Sequence, residues 1–138
     1  MRRGDKLIIK IDFESEIPIY EQLNNCIIRG IAKEELKEGE PLPSVRQMAS
    51  DIGINMHTVN KSYNMLKADG YISIDRRKGA IVGGKRTEPQ KEFLELMLEK
   101  QENIIAAAIC NGVGEVEFID ICRKIYNAYN NRGEPIND

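Results

Sequence analysis

The spacing of apolar residues changes several times along the chain, and each change marks an element. From Ile17 to Leu36 the residues Tyr20, Leu23, Ile27 and Ile31 recur at helical spacing, with Cys26 on the same side. Pro18 suits the first turn of that helix, and the stretch KEGEP, with Gly39 and Pro41, ends it. A short second helix follows in LPSVRQMASDIG. Val45, Met48, Ala49 and Ile52 form its apolar face, and Gly53 stops it. Ser44 stands three residues before Gln47, the pattern of a capping box. Asn55 suits the cap of a third helix, Met56 to Asp69, whose buried stripe is Val59, Tyr63 and Leu66 and which Gly70 ends. His57, Asn60, Lys61 and Asn64 fall on its other side.

Beyond Gly70 the period shortens. YISID and GAIVGG read as two strands joined by Arg76, Arg77 and Lys78 and reopening at Gly79, a hairpin with a cationic tip. The N-terminal KLIIKIDF, Lys6 to Phe13, has the composition of an edge strand or extended arm. After GKRTEP the period lengthens again. One helix is expected from Glu88 to Cys110, a turn at NGVG, and a last helix from Glu115 to Asn130. NRGEPIND is expected to fray.

Charge sharpens this picture. The net charge of -2 over 138 residues conceals an asymmetry. Residues 1–40 sum to -2, residues 41–86 to +5 and residues 87–138 to -5, counted as 7 against 9, 8 against 3 and 5 against 10 basic and acidic side chains. A basic middle between acidic flanks is expected where one segment meets a polyanion. Chance clustering on a solvated surface is the competing reading of the charge alone.

A short-turned helix pair followed by a hairpin is a winged helix-turn-helix. Its order has a physical reason. The second helix of the pair must enter the major groove, so its outer face needs polar side chains that reach base edges. His57, Asn60, Lys61 and Asn64 are such residues. The start of the first helix offers free amides and the Ser44 hydroxyl to a phosphate, and Arg46 reaches backbone or a guanine edge. Arg76, Arg77 and Lys78 of the wing face the flanking backbone or minor groove, with Gly79 permitting close approach.

These residues carry a family resemblance. From about Ile17 to Val82, PIYEQL, LPSVR, the TV pair and the L-x-x-x-G-Y-I stretch together resemble the DNA-binding domain of the GntR family of bacterial transcription regulators. The IDF…PIYEQL entry and the short C-terminal region resemble the YtrA-like subfamily. The resemblance implies a compact two-helix dimerisation region and regulation of transporter operons. It places Arg46 on a base or phosphate and Thr58 on the backbone. Asn55, His57, Asn60 and Lys61 take contact positions that vary with operator. Many members have arginine at the positions of Met56 and Asn60, and tips like GRGTFV are commoner than RRKGAIV, so no operator carries over.

The expected fold class is mainly α (α+β). A winged helix-turn-helix DNA-binding domain occupies residues 1–86 and a helical dimerisation region residues 87–138. Phe93, Leu94, Met97, Leu98, Ile105, Ile119, Ile125, Tyr126 and Tyr129 are the expected dimer core, because two amphipathic helices cannot hide broad apolar faces alone. Packing of these helices back on the winged domain is the alternative. The expected function is sequence-specific transcription regulation as a homodimer on a palindromic double-stranded operator, in the sense of a repressor. A sensor whose C-terminal helices bind a small molecule or partner is the second reading.

The chemistry of an enzyme is not expected. No Ser/His/Asp set, P-loop or GxGxxG stretch occurs. His57 is the single histidine, and Cys26, Cys110 and Cys122 lack metal-ligand spacing, so neither a metal nor a cofactor is expected. The odd cysteine count fits reduced thiols in cytoplasm, packed in core or interface. No signal peptide is read at the N-terminus, and no apolar run approaches the roughly 18 residues of a membrane span.

Overall fold

The computed structural model describes residues 9–130. Its elements run α1 (Ile19–Ala32), α2 (Val45–Ile52), α3 (Met56–Ala68), β1 (Ile72–Asp75), β2 (Gly79–Val82), α4 (Lys91–Cys110) and α5 (Glu115–Asn130). The boundary between two compact units falls between Lys85 and Arg86.

The first unit closes around the stripes legible in the sequence. Leu23, Ile27 and Ile31 of α1 meet Met48 and Ala49 of α2 and Val59, Tyr63 and Leu66 of α3. Ile72, Ala80 and Val82 of the hairpin complete the cluster. Burying each large side chain contributes roughly 1.5–3 kcal/mol, so this cluster is the main source of the unit's stability. Two polar links fix how the helices seat. The Asn24 amide meets the Ser62 hydroxyl at 2.5 Å, joining α1 to α3 and satisfying a fully buried serine. The Tyr63 hydroxyl donates to the Pro43 carbonyl at 2.7 Å, tying the middle of α3 to the entrance of α2. Burial pushes the Tyr63 hydroxyl far above the ordinary tyrosine pKa.

The ends of the elements differ from the expectations in instructive ways. The first helix stops at Ala32, short of Leu36, because Glu34 turns left-handed at φ 63°. The Glu35 amide then donates to the Gly30 carbonyl and the Glu34 amide to Ile31, a Schellman arrangement without its usual glycine. That reversal delivers Leu36 into the core at 2% exposure. At α2 only half of the capping box forms. Ser44 Oγ accepts from the Gln47 amide at 3.0 Å, but the Gln47 side chain donates to Asp51 at 2.6 Å, one turn on. Gly53, at φ 71°, closes α2 in the left-handed region that a Cβ disfavours. The fourth helix starts at Lys91, three residues later than Glu88.

No strand forms over residues 9–13. The Gln22 side chain holds that segment instead: it accepts from the Asp12 amide at 2.8 Å and donates to the Asp12 and Ile17 carbonyls. These bonds satisfy the backbone without a neighbouring strand. Residues 6–8 of the expected strand, and the expected frayed tail 131–138, lie outside the described residues.

The hairpin pairs Ile72 with Val82 and Asp75 with Gly79. It is not an isolated ribbon. Gly39 donates to the Val82 carbonyl, Val82 to Glu40 and Leu42 to Ala80, each at 2.8 Å. The connection from α1 to α2 therefore runs as a third partner along β2, with a bridge between Pro41 and Ile81. This pairing sets the wing against the entrance of α2. A two-stranded ribbon alone is marginal in water.

In the second unit, α4 buries none of its residues and α5 buries Ala128. Among the described residues, no helix is long and apolar enough to cross a membrane.

The Tyr63 hydrogen bond yields a test. Tyr63→Phe keeps the ring and strips the donor from a half-buried carbonyl, so urea unfolding should show a loss of about 1 kcal/mol with unchanged slope.

Candidate nucleic-acid interface

The entrance of α2 presents Ser44 and Arg46, both exposed. Ser44 accepts from the Gln47 amide, which leaves its own hydroxyl proton available to an acceptor from outside. The amides at the start of a helix have no intrahelical acceptor and carry the positive end of its dipole. Arg46 adds a full charge in the same turn. The Tyr63–Pro43 bond fixes this entrance relative to α3.

On α3, Val59, Ser62, Tyr63 and Leu66 are buried, which forces His57, Asn60, Lys61 and Asn64 outward. All four are exposed, at positions i, i+3, i+4 and i+7 of one helix face. Asn55 caps the helix: its Oδ1 accepts from the His57 amide at 2.6 Å. The carbonyl end of its side chain is therefore committed to the fold, and its NH2 remains as the outward donor. Thr58 is half-buried. Lys61 Nζ stands 3.9 Å from the centroid of the Tyr20 ring of α1. This cation–π contact, worth about 0.5–1 kcal/mol at an exposed site, restrains the lysine. Tyr20 shares the helical spacing of the apolar side of α1; its second role depends on how α1 crosses α3, which no local spacing reveals.

At the wing, Arg76, Arg77, Lys78 and Gly79 are all exposed. Gly79 takes φ 79°, so the chain re-enters β2 through a left-handed residue. Asp75, absent from the candidate residues read from the sequence, organises the tip. Its Oδ1 accepts from the Arg77 amide at 2.7 Å and the Lys78 amide at 2.9 Å. The Lys78 and then the Arg77 backbone bonds, helped by the Lys78 charge, hold its carboxyl below the ordinary aspartate pKa. An aspartate ending a strand just before a turn is a recognisable signal for such a bond.

The candidate contact residues thus belong to one unit, on α2, α3 and the wing, and each meets solvent at least in part. Their side chains supply cations, amides and hydroxyls, the groups that bind phosphate and read base edges. The candidate dimer residues lie on α4 and α5, in the other unit. Phe93, Leu94, Met97, Leu98, Ile105, Ile119, Ile125 and Tyr126 are exposed, and Tyr129 is half-buried. Among the described residues, no group of three or more His, Cys, Asp or Glu side chains could hold a metal. The three cysteines are unbridged; Cys110 is exposed and the other two are half-buried.

Comparison with known proteins agrees with this geometry. The family described as bacterial regulatory proteins, gntR family, matches residues 19–82. The HTH-type transcriptional repressor YtrA of Bacillus subtilis (strain 168) is 34% identical over 101 residues, covering 67% of this chain and 78% of the relative. Among solved structures, YtrA from Sulfolobus acidocaldarius, a GntR-family transcription factor, is 43% identical with a TM-score of 0.57, over 70% of this chain and 98% of that one. A transcriptional antiterminator from Listeria monocytogenes EGD-e is 26% identical with a TM-score of 0.83, over 95% and 97% of the two chains. With a capped helix pair, an outward polar face on its second helix and a cationic wing, this chain belongs to the GntR family of DNA-binding transcription regulators.

Proposed function

We propose that the chain is a repressor that binds a palindromic operator as a homodimer in the cytoplasm and controls a transporter-type operon. Residues 1–86 act as the DNA-binding domain and residues 87–138 as the dimerisation region. Recognition uses the outward face of α3 for base edges, with Asn55 and Thr58 at its entrance. The entrance of α2 meets phosphate through Ser44, and Arg46 takes backbone or a base. The wing follows the flanking backbone or minor groove. No catalytic step, metal or cofactor enters this reading.

The observation that carries the dimer is the solvent exposure of apolar side chains on α4 and α5. Leu98 is 70% exposed, Ile109 68% and Tyr126 72%. Faces of this kind mark association surfaces in soluble proteins. A second copy offers the same apolar surface, and a twofold dimer places two recognition helices on successive major-groove faces about 34–36 Å apart. The repressor sense rests on the similarity to the repressor YtrA, and the transporter operon on the subfamily resemblance of the sequence. Genes adjacent to this one would test the operon.

A sensor reading has one observation in its favour. The bend between α4 and α5 holds an open, mostly apolar cavity of about 320 Å³ lined by Ile105, Ala108, Ile109, Val113, Gly114, Glu115, Phe118 and Ile119. A small apolar effector suits such walls. Gel shifts on the upstream DNA, with and without candidate effectors, separate a constitutive from a ligand-controlled repressor.

Sedimentation tests the dimer. The full chain should be dimeric at micromolar concentration, and a fragment ending at Arg86 should stay folded, become monomeric and bind DNA weakly. Leu98→Glu should shift the full chain toward monomer without unfolding the first unit. A monomeric full chain, or a fragment that still dimerises fully, moves the interface elsewhere.

The DNA contacts divide into two measurable kinds. If Z phosphates are neutralised, log affinity should fall with log salt at a slope of about -0.9Z, and Arg77→Ala with Lys78→Ala should flatten it for all sequences alike. Thr58→Ala should also weaken binding broadly. In a selection from random duplexes, Asn60→Ala and His57→Ala should instead change the preferred base pairs, each at a cost of about 1–3 kcal/mol. Unchanged preference in both variants would displace α3 from the groove.

A further inference from the structure

We infer that Asp75 is a positioning residue for DNA binding: its carboxylate folds the wing tip so that Arg77 and Lys78 are presented to phosphate. The inference rests on the reading of the wing as a DNA contact and adds a residue of opposite charge to it.

An exposed carboxylate beside three cations destined for a polyanion is unfavourable on charge alone. Simple electrostatics assigns Asp75 the role of a repulsive neighbour that a tighter binder would discard. The geometry points the other way. One oxygen, Oδ1, accepts from two successive backbone amides, Arg77 at 2.7 Å and Lys78 at 2.9 Å. Such a bond from an aspartate to the backbone two and three residues on closes the turn locally. Asp75 is also the last paired residue of β1, opposite Gly79, whose φ of 79° starts the return strand. The tip between them holds Arg76, Arg77 and Lys78 and contributes none of the core cluster, which takes Ile72, Ala80 and Val82 from farther down the hairpin. Among the described bonds, the Asp75 carboxylate is therefore the side chain that orders this loop. Without it the three long cationic side chains sit on a loosened backbone, and ordering them becomes part of the cost of binding.

The two roles predict opposite signs, which makes them separable. Asp75→Asn keeps an oxygen acceptor at the same place and removes the charge; Asp75→Ala removes both. The probe is a duplex selected by the full chain from a random-sequence library, with a random duplex as the second probe, in fluorescence anisotropy at fixed salt. The positioning role requires Asp75→Ala to weaken binding to both duplexes, on the order of three- to tenfold. It requires Asp75→Asn to bind as tightly as the unaltered chain or more tightly. Both variants should stay folded, with at most a small fall in melting temperature since the core side of the hairpin is untouched, and amide exchange at Arg77 and Lys78 should accelerate in the alanine variant alone. Tighter binding by both variants, equal loss in both, or no change in either overturns the inference. A paired Arg77→Ala/Lys78→Ala variant separates the underlying reading. If it binds as the parent does, the wing is not a DNA contact and the inference falls with it. If it binds weakly while Asp75→Ala does not, only the role of Asp75 fails.

Discussion

The arrangement of the first unit depends on the burial of one side of α3. Val59, Tyr63 and Leu66 are driven into the core with Ser62 between them, and every outward residue of the helix is placed as a consequence. The apolar gain of roughly 1.5–3 kcal/mol per large side chain exceeds what any single surface contact of His57, Asn60 or Asn64 could supply. Those residues therefore do not choose their direction; the core chooses it for them. The polar members of the stripe then set register. Ser62 must meet Asn24 and the Tyr63 hydroxyl must meet Pro43, because an unpaired hydroxyl in the core costs more than a hydrogen bond contributes. A helix held in this way presents one defined polar face to solvent.

The wing is held by two different means. At its base, backbone pairing of residues 39–42 with β2 joins it to the entrance of α2. At its tip, a single carboxylate gathers two amides. The bonds at the base are flanked by buried Leu42, Ala80 and Val82. The tip lies in solvent and owes its order to a short local contact. Residues 41–86 carry a balance of +5, and three of their cations, Arg76, Arg77 and Lys78, stand at this tip beside the aspartate.

The second unit poses the reverse problem. α4 is apolar along much of its length and buries nothing within the described chain. An apolar face in water is a free-energy cost that a partner removes. The exposed face of α4 is the observation on which the proposed dimer rests. Residues 87–138 carry an acidic balance of -5, against the +5 of residues 41–86.

The sequence by itself determined the helices, the hairpin and the outward face of α3. These follow from period and punctuation: Ser44 and Asn55 cap where they were expected to cap, and Gly53 stops α2 as it should. Local rules suffice there because the groups involved lie within one helical turn of each other. Tertiary structure decided the rest. The N-terminal segment had strand composition, yet without a neighbouring edge its backbone pairs with the Gln22 side chain. Glu34 adopts a left-handed turn that glycine would favour, and the buried Leu36 just beyond it lies in the core that the turn serves. Tyr20 under Lys61 and residues 39–42 along β2 join parts far apart in the chain. Pairings of that kind are set by how the core closes, and the residues that make them carry no local mark of it.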